Sequence, residues 1–573
     1  MYPGVHASAH PDKPAVISAR TGEALTYGQL EERSVRLANR LRSAGLRPGD
    51  HLALLSDNDA RCLEVYWAAM RSELYLTSVN SHLTAEEAAY IVGDCGARAL
   101  IVSASLTDLA NALVPVTPEI ELRLSYGRAR GSSSGSPSGS RRQPDHALRG
   151  DGEHPKGYED YEAALAAASP TAPEHQPRGA DMLYSSGTTG RPKGVQPALS
   201  GEDITRTPSI YTALFAPLYG FDTETVYLSP APLYHAAPLR FCGVVTATGG
   251  TVVLMDTFDA ERSLALIEGY GVTHSQWVPT MFVRMLKLPA QVAQRYALSS
   301  LRVAIHAAAP CPTEVKRRML EWWGPVLYEY YSSTEGNGLT AITPQESLRK
   351  PGSVGRSVLG DLRVCGEDGT ELPPGATGTV YFAREERPFA YHNDPERTAE
   401  AQHPHHPGWT TTGDIGHVDE DGYLFLTDRK AFTIISGGVN IYPQEIENCL
   451  TLHPKVADVA VVGVPDTEMG EAVRAVVQPE PEAVPGAELE RELLAYVRGR
   501  IARYKVPRAV EFTDQLPRTP TGKLAKGTLR ERPSARERPS ARERPSARER
   551  LSARERLSAG EPPAARPSER RGP

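Results

Sequence analysis

Between Tyr184 and Gly194 the chain reads Tyr-Ser-Ser-Gly-Thr-Thr-Gly-Arg-Pro-Lys-Gly. Gly187, Gly190 and Gly194 let backbone turn tightly and approach an anion with no Cβ in the way. The hydroxyls of Ser185, Ser186, Thr188 and Thr189, with successive backbone N–H groups, can ring a chain of phosphates, and Lys193 adds a fixed positive charge. That chemistry holds a nucleotide polyphosphate. The run is not a Walker A loop, because Lys193 is separated from Gly190 and followed by Gly194 rather than by Ser or Thr. Ser/Gly/Thr surface loops are common, but an ordered run ending in Pro-Lys-Gly is more specific than such a loop requires.

The run resembles the phosphate-binding signature of the adenylate-forming (AMP-binding) superfamily: acyl-CoA synthetases, carrier-protein adenylation domains and luciferases. Further segments resemble that family in the same order. Ala231 to Pro238 is similar to its histidine segment, which implies a gating or orienting catalytic role for His235 at the mouth of an acyl pocket. Tyr330 to Gly336 resembles an aromatic-Gly-x-Thr-Glu segment. By that resemblance Tyr331 lies along adenine, Thr334 touches the α-phosphate, and Glu335, with Thr188, holds Mg²⁺, a hard cation suited to oxygen ligands. The block from Trp409 to Asp414 and from Tyr423 to Arg429 implies ribose contacts from Asp414 and Arg429. Ser436, Gly437 and Gly438 resemble the loop that lines a CoA pantetheine tunnel. Pro517 to Lys523 is similar to the family's C-terminal lysine motif, in which Lys523 neutralises charge during adenylation.

The resemblance implies an acyl-CoA synthetase of the fatty-acid–CoA ligase branch. It uses ATP, Mg²⁺ and CoA to activate a carboxylic acid as its adenylate, then forms the thioester. His235, Trp277, Val278, Ala307 and Ala308 are the expected acyl-pocket walls; they carry few fixed charges, so a fatty, steroid-like or aromatic acid, with a fatty acid the expected case, fits better than acetate or a charged acid. Three departures stand out. Ser332 takes a Gly position, His306-Ala307-Ala308-Ala309-Pro310 replaces a more Gly-rich adenine loop, and Ala431 with Phe432 replaces a charged hinge pair. Residues 234–240 hold no Asp, which disfavours an amino acid as substrate. An acyl-adenylate ligase loading a carrier protein and a non-catalytic nucleotide-binding relative are the competing readings.

These residues need a scaffold, and the chain's periodicities supply one. Leu30, Leu37, Ala38 and Leu41 recur at helical spacing after a Thr26 cap, His51–Leu55 and residues 99–102 read as strands, and Thr84 with Glu87 is a capping box. Strands alternating with helices indicate an α/β fold. The expectation is a large multi-layer N-terminal domain over 1–428 with a flexible insertion near 127–157, a hinge at 429–431, and a small mobile α+β domain over 432–530. In the small domain, two short Val-rich strands precede a helix carrying Leu489, Leu493, Leu494 and Val497 on one face. Gly131-Ser132-Ser133-Ser134-Gly135 matches a nucleophile-elbow pattern but has no flanking strand and helix. The Glu-Arg-Pro-Ser-Ala-Arg repeat from Glu531 lacks the apolar content for a core and reads as a disordered tail.

A formal net charge of −7 over 573 residues argues against nucleic acid as a partner. The last 43 residues hold 12 Arg and 7 Glu, so residues 1–530 carry a net charge of −12 and must gather positive charge locally around polyanions. Six scattered cysteines with no C-x-x-C pair suit a reducing, cytoplasmic setting, and neither a signal peptide nor a transmembrane segment is evident. His403, His405 and His406 lack a supporting carboxylate at helical spacing and read as loop rather than metal site.

Overall fold

Reciprocal caps start two of the helices that build the first lobe. Thr26 accepts the Gln29 backbone N–H while the Gln29 side chain accepts that of Thr26, and Tyr27–Ser43 follows with Leu30, Leu37, Ala38 and Leu41 buried. Thr84 and Glu87 do the same for Ala85–Asp94. The computed structural model describes residues 1–127, 154–185, 192–429, 432–436, 439–467, 469–518, 524 and 526–530. Ser186, Gly187, Thr188, Thr189, Gly190, Ala431, Gly437, Gly438 and Lys523 lie outside the described residues. So do most of the expected insertion, with its 131–135 pattern, and the expected tail.

Six parallel strands form one sheet, in the spatial order Glu159–Asp160, Leu122–Tyr126, Ala97–Ser103, His51–Leu55, Tyr75–Val79, Ala180–Asp181. A nine-stranded sheet runs parallel from Pro14–Ser18 through Thr251–Leu254, Val226–Ser229, His274–Trp277 and Val303–His306 to Leu327–Ser332, with antiparallel strands at both edges. Arg61–Met70 and Ala236–Thr248 are buried on almost every face and share one core with residues of both sheets. Helices apolar all round must be enclosed by other layers. Gly243 lets them meet, since a Cβ there would lie 2.7 Å from the Tyr66 hydroxyl.

The α/β alternation expected of the large domain over 1–428 gives way after strand Leu327–Ser332. From there Leu339–Ile342, Arg356–Leu359, Asp361–Cys365, Gly378–Ala383, Asp414–Val418 and Leu424–Arg429 pair antiparallel. Several of the connections are turns too short for a helical crossover, which parallel pairing would need.

The small lobe is α+β. Its Val-rich strands are longer than the sequence suggests, Val456–Asp466 and Gly470–Pro479, and form one antiparallel ribbon. Helix Ala487–Arg498 buries Leu489, Leu493, Leu494 and Val497 against it. The fold is thus mixed α/β, a large multi-layer lobe followed by a small α+β one. The Lys287 ammonium joins the lobes by donating to the Val456 carbonyl at 2.8 Å and pairing with Glu480. Among the described residues no helix is long and apolar enough to cross a membrane.

Candidate functional site

Strand Leu183–Ser185 carries the chain into the glycine run, and Lys193–Pro197 brings it back antiparallel, with Lys193 opposite Ser185. A third strand, Phe389–Tyr391, lies on the other side and sets Tyr391 opposite Val195. A Cβ on Gly194 would stand 3.2 Å from the His392 Cβ and 3.1 Å from the Tyr184 ring, so glycine admits that close approach. The Lys193 ammonium lies 4.9 Å from the centre of the Tyr391 ring. Burial, and next the Arg397 guanidinium, push its pKa below the ordinary lysine value, against the pull of Asp394, Glu335 and Glu400. The Tyr391 hydroxyl donates to the Glu335 carboxylate at 2.9 Å.

Glu335 lies in the turn between Leu327–Ser332 and Leu339–Ile342, the hairpin that also carries Tyr331 and Thr334. Ser332, which stands where glycine is expected, donates its hydroxyl to the Gly338 carbonyl at 2.7 Å, and Ser333 donates to Asn337 at 2.9 Å. Both bonds close the turn, so the departure at Ser332 has a local use. The Tyr331 hydroxyl donates to the Asp414 carboxylate at 2.7 Å, and Thr412 donates to the same oxygen at 2.8 Å. Asp414 pairs with Arg429 across the next antiparallel ladder. Two sets of contacts result, Lys193–Tyr391–Glu335 and Tyr331–Asp414 with the backbone of Arg429, and the hairpin that carries both Glu335 and Tyr331 joins them.

His235 is the residue preceding helix Ala236–Thr248, with its ring 4.5 Å from that of Tyr234. One turn into the helix, Arg240 forms a buried pair with Asp181 at 2.7 Å and donates to the Thr334 carbonyl at 3.3 Å. The histidine helix is thereby tied to the turn that holds Glu335. Neither Tyr391 nor the Asp181–Arg240 pair is signalled by a spacing in the sequence.

The expected pocket walls divide. Val278 is half-buried, and Ala308 is exposed. Trp277 is corrected: it is 0% exposed, its indole N–H donates to Ser275 at 2.7 Å, and its ring packs among Phe258, Phe282 and Trp323, in the core rather than on a wall. Ala307 is also buried, at 3% exposure. Ala308 has φ +75°, a left-handed conformation that explains the glycine expected in such a loop and costs an alanine roughly 1–2 kcal/mol. His306, at the end of the preceding strand, is 0% exposed, and burial holds its pKa down at about 4.

In the small lobe Ser436 pairs with Val439 across the position of the two glycines, and the flanking Ile435 and Val439 are 56% and 46% exposed. Among the described residues no group of three or more His, Cys, Asp or Glu side chains could hold a metal ion. Mg²⁺ does not require one: it binds through one or two carboxylates together with substrate phosphates and retained waters, and the Glu335 carboxylate is of that donor type. His403 is buried with Nε2 against the Gly369 carbonyl at 2.9 Å and Nδ1 accepting the His405 backbone N–H at 3.1 Å, so both ring nitrogens are engaged structurally.

A family model described as AMP-binding enzyme matches residues 5–386, and one described as AMP-binding enzyme C-terminal domain matches residues 445–523. The chain is 35% identical over 519 residues to a feruloyl-CoA synthase of an Amycolatopsis species, covering 89% of this chain and 94% of that protein. It is 32% identical over 533 residues to the fatty acid–[acyl-carrier-protein] ligase ScoC of Streptomyces coeruleorubidus, covering 92% and 95%. The crystal structure of ATP-bound MatB from Rhodopseudomonas palustris superposes with a TM-score of 0.74 at 28% identity, covering 93% of this chain and 99% of MatB.

Proposed function

The chain belongs to the AMP-binding enzyme family, and from that premise we propose that it activates a hydrophobic carboxylic acid as an acyl-adenylate and transfers the acyl group to the thiol of CoA. It is an AMP-forming acid–thiol ligase. The observation that carries the residue assignments is that one hairpin holds both Glu335, linked through Tyr391 to Lys193, and Tyr331, bonded to Asp414.

In this reading Ser185, Ser186, Gly187, Thr188, Thr189, Gly190 and Lys193 hold the β- and γ-phosphates, Tyr331 lies along adenine, and Asp414 accepts the ribose hydroxyls with Arg429 beside it. Glu335 and Thr188 would hold Mg²⁺, which when bound would neutralise phosphate charge. A carboxylate oxygen of the acid attacks the α-phosphorus, the bond to pyrophosphate breaks, and Lys523 neutralises the charge that builds on the oxygens. Thr334 holds the α-phosphate, and His235 orients the acid. The small lobe then turns about residues 429–431 and brings Ser436, Gly437 and Gly438 to the pantetheine arm. The thiol gives up its proton and attacks the acyl carbonyl, and AMP departs. Adenylation first makes a poor electrophile a good one before the thiol arrives.

Lys523→Ala tests the two-step assignment. Pyrophosphate release should fall by about two to three orders of magnitude, as when an oxyanion donor is lost. Thioester formation from supplied acyl-adenylate should persist; equal losses in both steps in a folded protein would sink the assignment. The similarity to ScoC favours a carrier protein as the second candidate acceptor. A panel of fatty and aromatic acids, assayed with CoA and with carrier protein, decides both substrates. A cytoplasmic setting suits the unpaired cysteines.

A further inference from the structure

Lys193 and Glu335 come from different sheets and are far apart in sequence, yet the phosphate–magnesium end of the site needs them held together. One side chain touches both. Tyr391 stands opposite Val195 on the antiparallel ladder, two residues along from Lys193. Diagonal neighbours on one face of such a ladder are within reach of long side chains. This accounts for the Lys193 ammonium lying 4.9 Å from the Tyr391 ring centre. The phenol then extends beyond the lysine, and its hydroxyl donates to Glu335 Oε1 at 2.9 Å.

Tyr391 is itself held firmly. Its backbone N–H donates to Thr398 Oγ1 at 3.0 Å, and Thr398 donates to the Asp394 carbonyl at 2.8 Å. Asp394 in turn caps the short helix Pro395–Glu400. The Phe389 ring meets the Tyr391 ring edge-on at 5.3 Å. The three-stranded sheet that returns from the glycine run is therefore linked to the nine-stranded sheet through one phenol.

We propose that Tyr391 is a positioning residue for adenylation, its hydroxyl orienting the Glu335 carboxylate toward Mg²⁺ and its ring supporting the Lys193 ammonium toward the phosphates. A hydrogen bond to an ionised carboxylate is stronger than a neutral one, and partners that orient a metal-ligating carboxylate commonly tune metal affinity by 10–100-fold. A face-on ring stabilises a cation without neutralising it, which leaves the ammonium charge available to an anion. Phenylalanine would do the second task and not the first. The proposal rests on the reading of Glu335 and Lys193 as magnesium and phosphate residues.

The experiment measures binding in the full chain apart from turnover. Calorimetry of ATP binding in EDTA, and at graded Mg²⁺, gives ATP affinity and the Mg²⁺ affinity of the ATP complex separately. Tyr391→Phe keeps the ring of a half-buried residue and should weaken Mg²⁺ affinity about tenfold, with ATP affinity in EDTA and thioester formation from supplied acyl-adenylate as in the wild type. Tyr391→Leu, the second variant, should show the same Mg²⁺ loss together with weaker ATP binding in EDTA. Wild-type Mg²⁺ affinity in Tyr391→Phe overturns the proposal, and so does a loss of ATP affinity equal with and without Mg²⁺, the mark of a merely structural role. Glu335→Gln separates the premise: unchanged Mg²⁺ affinity in that variant overturns the magnesium assignment itself.

Discussion

His306 shows how burial changes the meaning of a polar residue in a pocket motif. It stands one position before Ala307, yet its ring is enclosed beside Phe282, and neither nitrogen has a hydrogen-bond partner among the described residues. Burial lowers its pKa to about 4; Glu329, with Oε2 3.9 Å away, opposes the shift, and Lys316, paired with Glu329 at 2.6 Å, adds to it. The ordinary value is 6.5, so between the two values the unfolded chain takes a proton that the folded chain refuses. The folded state keeps its full margin above pH 6.5 and loses it as pH falls toward 4, by roughly 3 kcal/mol for this one group. His51 and His274 are lowered to about 4 chiefly by burial and act in the same window. His306→Leu should therefore be neutral or stabilising by about 1 kcal/mol at pH 7. It should also flatten, without abolishing, the fall in Tm between pH 6.5 and 5. A fall as steep as the wild type's would show that His306 does not carry this acid sensitivity.

At the scale of elements, the hairpin of Leu327–Ser332 and Leu339–Ile342 is what brings together Tyr331, Thr334 and Glu335, the residues proposed for adenine, α-phosphate and magnesium. Its closure depends on Gly338, where an added Cβ would lie 2.0 Å from the Phe382 ring. Phe382 is 1% exposed and stacks on Tyr331 at 6.0 Å, so it cannot yield outward without moving the proposed adenine platform. Gly338→Ala should cost about 1–3 kcal/mol of stability by overpacking and raise the KM for ATP more than it lowers kcat. An unchanged KM in a destabilised protein would detach the platform from this packing. Much at this scale was legible in the sequence: the Thr26 and Thr84 caps, the strand at 51–55, and the face with Leu489 and Leu493. Each is written in local chemistry and period. Trp277 differs from its expected place because it is enclosed by Phe258, Phe282 and Trp323, contacts between separate elements that no local period records. Tyr391 was missed because three residues of strand in a Pro-bounded segment carry no period, and its partners lie 56 and 198 positions away.

For the whole molecule, the proposed chemistry asks for two arrangements of the lobes, and the described one leaves a mark on the surface. The hairpin that flanks Gly437 and Gly438 exposes Ile435 and Val439, at 56% and 46%, while Lys287 bridges the lobes elsewhere through the Val456 carbonyl and Glu480. The Lys287 pair is partly solvated, 33% and 30% exposed, and contributes at most about 1 kcal/mol. It can therefore break without a large barrier when the small lobe turns. The apolar hairpin face would then be covered as the pantetheine tunnel forms, which gives exposed Ile435 a use in the second step. A charge at that position is well hydrated in the described arrangement and costly to bury in the other. Ile435→Glu should leave pyrophosphate release within about twofold of the wild type, since a surface substitution away from packing rarely matters by more than about 0.5 kcal/mol. Thioester formation from supplied acyl-adenylate should slow by roughly tenfold or more, the equivalent of about 1.4 kcal/mol in the barrier. Ile435→Val should behave as wild type in both assays. If the glutamate variant formed thioester at the wild-type rate, the hairpin would not be buried in the second step, and CoA would have to reach the adenylate by a route that does not use Ser436 and its two glycines.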